Sequence, residues 1–235
     1  QDCLTRVGAQ RAPGGTPEDL EAEVREQMAR APIQNLVTRQ VTAEPYGQLI
    51  YQAVSWDQHE RVNQAQQRAM AAQLQGFFYT EAFGRIPGQY GRPSREELTE
   101  FFTTDLISRE IAERIARAFE LYWDGEYDDS AHVLVPRLEG ILRDLAHRVG
   151  IPVIALPEGE RLGRVLPAGD VLRQLRDVFP DPGAHAYFTN LLTDPLGLNL
   201  RNNIGHGIAG TVQRSEAALL LQAACQLRLF RVSAA

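Results

Sequence analysis

From Asp105 to Trp123 the apolar residues Leu106, Ile107, Ile111, Ile115, Phe119 and Tyr122 recur at helical spacing, which predicts one amphipathic helix ended by Gly125. Asp128, Asp129 and Ser130 offer caps for the next helix. Its stripe is Leu134, Val135, Leu138, Ile141, Leu142 and Leu145, and Gly150 supplies the stop. Pro136 must either bend the first turns of that helix or mark its true start. A last helix, about Val212 to Phe230, is apolar on most faces (Leu219, Leu220, Leu221, Ala224, Leu227) and so belongs in the middle of a bundle.

Earlier in the chain the pattern is weaker. Residues 1–17 read as a loose leader, with turn chemistry at Pro13 to Pro17. Thr16 can cap a helix that has Pro17 at its first position and Asp19 and Glu21 in its first turn, running to about Arg30 and stopping before Pro32. A second helical stretch covers 46–79, rich in Gln and Ala between Trp56 and Leu74. The Gly- and Pro-rich run Gly84 to Pro93 is the best boundary between segments. Residues 151–169 read as a long loop that could hold a strand at Val153–Leu156. Short helices follow at about Asp170–Phe179 and Ala184–Leu192. The expected architecture is all-α: a mostly helical N-terminal segment of unassigned role, 1–95, then an antiparallel helical bundle over 100–235.

Composition narrows the possibilities. Hydrophobic residues make up 44% and charged residues 23% of the 235, enough apolar surface for a real core. No apolar run approaches the roughly 18–20 residues that cross a bilayer, and no secretory leader precedes the first helix, so no membrane partner is expected. The chain opens on Gln1 rather than Met, as a piece of a longer protein would. Cys3 and Cys225 have neither metal-ligand nor redox spacing, and Cys225 among Leu and Ala reads as a buried, inert thiol. A reducing cytoplasm fits. Every one of the 24 basic residues is Arg, which we read chiefly as genome composition. A net charge of −6 argues against a general nucleic-acid coat. Residues 201–235 nevertheless carry four arginines against one acid, Glu216, so any polyanion site is local.

That segment also holds the candidate chemistry. In Asp194-Pro-Leu-Gly-Leu-Asn-Leu-Arg201-Asn202-Asn203-Ile-Gly205-His206-Gly207 an anion clamp and a titratable ring lie five residues apart. Histidine can take and give a proton near neutrality, and the arginine fork matches phosphate oxygens. Together they could cut RNA without a metal or other cofactor: His206 takes the 2′-OH proton, that oxygen attacks phosphorus, and Arg201 offsets the growing charge. Five helical steps turn through about 500°, which leaves the two side chains roughly 140° apart. Either Arg201 lies in the turn before the helix, or a two-fold dimer completes the site. Asn202 and His206 do share a face, and Gly205 and Gly207 permit close approach by a phosphate or a partner helix.

Arg201-Asn202-x-x-x-His206-Gly207 resembles the Arg-Asn-x-x-x-His-Gly signature of a bacterial and eukaryotic family of unknown function. It is also similar to the Arg-x4–6-His motif of the HEPN superfamily. The block from Asp124 through His132 and Glu139 to Arg143, and Leu196-Gly-Leu-Asn-Leu before the motif, extend the resemblance to about residues 100–232. The resemblance implies a HEPN-like helical bundle and a metal-independent endoribonuclease of toxin, phage-defence or RNA-processing type. It also implies a dimer that brings two motifs together, with Arg201 and His206 catalytic and Asn202 positioning them. Other HEPN domains are non-catalytic binding modules, and that is the alternative.

Plainer readings stand beside these. His206 could be a histidine at a helix end bonded to backbone, and Arg201 could pair with Asp194. Glu139 and Arg143 have the spacing of a scaffold ion pair. His132 and His147 are too far apart to share a metal, and His59 beside Asp57 is expected at the surface. Gly205-x-Gly207-x-x-Gly210 spells a dinucleotide-binding pattern, but neither the preceding strand nor the later acid is visible. No G-x-S-x-G supports a serine hydrolase.

Overall fold

Local chemistry sets the helix ends. The Thr16 hydroxyl accepts from the Asp19 N–H at 3.1 Å and starts α2 (Pro17–Arg30), as the sequence predicts. Ser94 and Glu97 form a reciprocal capping box at the start of α4 (Arg95–Phe102). The computed structural model describes residues 2–13, 15–43, 48–156, 162–208 and 210–231. Among them the chain is mostly helical. The other helices are α1 (Asp2–Gly8), α3 (Trp56–Tyr90), α5 (Arg109–Trp123), α6 (Tyr127–Arg148), α7 (Ala168–Gln174), α8 (Pro182–Leu192), α9 (Leu200–Gly205) and α10 (Arg214–Leu227). Two small antiparallel sheets pair β1 (Arg39–Ala43) with β2 (Gln48–Ala53), and β3 (Ile154–Ala155) with β4 (Arg164–Val165). No described helix is long and apolar enough to cross a membrane.

The chain forms two compact units that do not follow sequence order. The first is built from 1–10, 75–178 and 210–235, the second from 11–74 and 179–209. The long predicted bundle helices therefore belong to the first unit and the Arg201–His206 segment to the second.

In the first unit α5 and α6 are joined by the tight turn after Trp123, and α10 packs on both. Helix α10 is buried continuously from Ala217 to Leu227, as its all-round apolar pattern predicts. The segment read as a leader instead forms α1, which buries Leu4 and Val7 and crosses α10 closely. Gly8 makes that crossing possible, since a β-carbon there would sit 2.5 Å from the Cys225 carbonyl oxygen.

Several predicted ends move, each for a physical reason. The helix expected from Asp105 begins at Arg109, because the Ser108 hydroxyl caps it by accepting from the Ile111 N–H. Leu106 and Ile107 are buried just before it. Asp128, Asp129 and Ser130 lie in the first turn of α6 rather than at its cap. There the Ser130 hydroxyl donates to the Ala118 carbonyl at 2.8 Å, and Pro136 lies inside the helix. The predicted strand near Val153 is the short β3, and 157–161 of that loop lie outside the described residues.

The largest departure is Gly84 to Pro93. Helix α3 runs through it to Tyr90 because Phe83 and Ile86 are buried, and burial outweighs the local Gly and Pro preferences. Pro87 cannot donate to the Phe83 carbonyl four residues back. The Trp123 indole N–H donates to that oxygen instead, at 2.9 Å. Trp123→Phe removes this donor while keeping most of the ring, and is expected to cost about 1–3 kcal/mol for the orphaned carbonyl. Urea unfolding followed by circular dichroism checks it, and a loss below measurement error would refute the assignment.

In the second unit the predicted helical stretch at 46–79 begins only at Trp56, while Tyr46 and Gly47 lie outside the described residues. The β1–β2 hairpin replaces its start. Val41 and Tyr51 are cross-strand partners and pack against Ala53, Val62, Ala65 and Leu196. His59, expected at the surface, is 2% exposed. Its two ring nitrogens lie 2.8 Å from the Ser55 carbonyl oxygen and 2.9 Å from that of Val37, which ties the chain before β1 to the start of α3.

Candidate functional site

The motif segment is built on one buried asparagine. Asn190, near the end of α8, donates to the Ala65 carbonyl at 2.9 Å, and its own carbonyl accepts the Asn199 N–H at 3.1 Å. Gly197 passes directly over it: a β-carbon there would come within 2.7 Å of the Asn190 backbone oxygen. Between them the Asp194 carboxylate accepts the Leu196 N–H at 3.0 Å and closes the turn. Asn199 then adopts a left-handed conformation, φ +52°, and α9 begins.

Helix α9 is anchored by Leu200 and Ile204, which are buried, while Arg201, Asn202 and Asn203 are half-buried. Arg201 donates to the Asn202 side-chain oxygen at 2.9 Å, and the Asn202 amide donates to the Asn199 side-chain oxygen at 2.7 Å. The Asn203 amide donates to the Leu198 carbonyl at 3.2 Å. The helix ends in a Schellman turn. The Gly207 N–H bonds to the Ile204 carbonyl, the Ile208 N–H bonds to the Asn203 carbonyl at 2.8 Å, and Gly207 sits at φ +65°. Gly207 is thus required by chain reversal, whereas a β-carbon on Gly205 would meet open space.

His206 is the cap residue, and its N–H donates to the Asn202 carbonyl at 3.0 Å. Its ring is exposed and takes part in no hydrogen bond among the described residues. Comparison with family models, with curated proteins and with solved structures finds no match. The site's own geometry therefore carries the functional argument. Arg201 lies inside α9 and not in the turn before it, so within one chain the guanidinium and the imidazole leave the helix on different faces. Asn202 is the link: its side chain holds Arg201 and its carbonyl holds the His206 backbone.

The remaining sequence candidates resolve simply. Gly205 ends α9 and Gly207 and Gly210 come after it, so a helix stands before the pattern where a dinucleotide fold needs a strand. Glu139 and Arg143 form their ion pair on α6. His132 is exposed with Nδ1 2.9 Å from the Asp128 carbonyl oxygen. Among the described residues no three His, Cys, Asp or Glu side chains cluster as metal ligands would. Cys225 is buried, and burial pushes its thiol well above the ordinary range, as an inert packing role requires.

One polar feature escapes the sequence reading. Carboxamides from α2, the 3₁₀ turn at Pro32–Asn35 and the first half of α3 face a common recess. Its trace in the sequence is the run Asn63-Gln-Ala-Gln-Gln67, which looks like ordinary helix surface until α2 is placed opposite it.

Proposed function

We propose that the chain is a metal-independent endoribonuclease of HEPN-like type that cuts single-stranded or looped RNA at a local site. The observation that supports this best is His206: an exposed imidazole at a helix end, with Arg201 held by Asn202 one turn earlier and open space over Gly205. In this reading His206 removes the 2′-OH proton and the oxygen attacks phosphorus. Arg201 offsets the charge on the non-bridging oxygens, and the 5′-oxygen leaves with a proton from a second imidazole. A two-fold dimer, with the Gly205–Gly207 surfaces facing, supplies that second acid and brings Arg201 and His206 of two chains onto one phosphate. Purified chain incubated with single-stranded RNA in EDTA is expected to leave 2′,3′-cyclic phosphate and 5′-hydroxyl ends. Ends bearing 5′-phosphate, or cleavage that needs added Mg²⁺, would overturn the mechanism.

A second reading, a catalytically silent dimerisation or binding module, is favoured by one observation. The side-chain amides of Asn202 and Asn203 are spent within the turn, on Asn199 and Leu198, as they would be in a purely structural element.

A further inference from the structure

The recess between α2 and α3 in the second unit has a volume of about 320 Å³, within the range of small-ligand sites, and none of the described residues lining it is charged. Six of its nine lining residues are Asn or Gln, and two of the others are Met28 and Met70. Partners that can act in only one way fix how these amides point, so their orientation is not a matter of choice. Arg39, which can only donate, gives one N–H to the Asn63 oxygen at 2.8 Å and another to the Gln66 oxygen. Among the described residues that leaves the NH₂ groups of Asn63 and Gln66 as free donors. The Asn35 amide nitrogen is committed to the carbonyls of Met28 and Ala31, both at 3.3 Å, so among the described residues the Asn35 side-chain oxygen is a free acceptor. Gln27 gives its NH₂ to the Glu23 carboxylate at 3.2 Å and must present its oxygen to the Gln67 NH₂, which leaves the Gln67 oxygen as a second acceptor.

We infer that this recess binds a nucleobase. Two free donors and two free acceptors on a neutral surface match a ligand that carries carbonyl, ring N–H and amino groups along its edges. None of the described lining residues is charged, and Arg39 behind them is spent on Asn63 and Gln66, so the donors and acceptors presented are neutral ones. The methionines add polarisable apolar surface suited to the flat face of a ring. The base could belong to a single-stranded RNA or to a free nucleotide; the chemistry in the recess is the same. This inference goes beyond the cleavage reading and does not depend on it, since none of its groups belongs to the Arg201–His206 segment.

The test is equilibrium binding to the full chain, by calorimetry or NMR titration, of the four ribonucleosides, their 5′-monophosphates and single-stranded tetraribonucleotides. At least one nucleoside is expected to bind saturably, and its monophosphate no more than a few-fold differently. Tetranucleotides that compete with it would identify a strand as the source, and competition by mononucleotides alone would identify a free nucleotide. Asn63→Asp turns a donor into an acceptor while giving Arg39 a better partner. It should fold and weaken binding about tenfold or more. Gln67→Met, which removes an acceptor, should do the same, and His206→Ala should bind as the parent chain does. No saturable binding of any of these probes, or binding unaffected by both recess variants, would overturn the inference. Loss of cleavage in His206→Ala with nucleoside binding intact, or the converse in Asn63→Asp, separates the fate of this site from that of the cleavage site.

Discussion

Arg201→Ala and His206→Ala are each expected to reduce RNA cleavage by about 100-fold or more, the scale on which a positioned acid–base or charge-stabilising group acts. The His206 ring is exposed and makes no hydrogen bond among the described residues, so its removal should change stability by less than about 0.5 kcal/mol. Asn202→Ala differs in kind. It breaks the bonds to both Arg201 and Asn199, so it should slow cleavage and also lower the melting temperature by a few degrees. Cleavage per chain should fall steeply on dilution below the dimer dissociation constant. Initial rates on a labelled single strand, with thermal melts of the same samples, read all of this. A parent chain that never cuts a broad panel of RNAs, and whose variants melt early, would decide for the silent module. Undiminished activity in a strictly monomeric sample would remove the composite site.

Phe83→Ala should cost about 3–5 kcal/mol, the usual loss when a fully buried aromatic ring is deleted and the cavity cannot close. Phe83 is 0% exposed and lies edge-on to Phe119 and Tyr122, with ring centroids 5.5 and 6.0 Å away. Its carbonyl also receives the Trp123 indole, whose ring is 5.4 Å from that of Phe119, so Trp123 fluorescence during urea unfolding, read with Trp56 replaced by Phe, reports on this cluster. Phe83→Leu, which refills most of the space, should recover at least half of the loss. A cost below about 1 kcal/mol for the alanine variant would mean that this stretch of α3 is not docked as described.

Elements closed by contacts within one or two helical turns were the readable ones. Thr16 before Pro17 and the stripes of α5, α6 and α10 are legible because a cap or an amphipathic face depends on residues three or four apart. The Asn202–Asn199 bond and the Schellman turn at Gly207 are local too, but the sequence reading had Gly207 as room for a phosphate or partner helix rather than as the residue that reverses the chain. The β1–β2 hairpin was not legible. Val41 and Tyr51 gain nothing from extension until they face each other and a cluster that includes Leu196, some 150 residues away in the chain.

By itself, then, the sequence determined where most helices lie, how α2 starts, and which short segment carries Arg201, Asn202 and His206. Tertiary structure decided that α3 continues through Gly84 and Pro87, because Trp123 replaces the missing proline donor. It decided that His59 is buried between two carbonyls, and that the motif stands with residues 11–74 rather than with the long helices beside it in sequence. It also turned an unremarkable glutamine run into a recess with defined donors and acceptors, through Arg39 and Gln27. The physical reason is common to all four. Hydrogen bonds and apolar contacts within one helical turn are written in adjacent residues, whereas those that close over tens of residues depend on which surfaces the folded chain brings together.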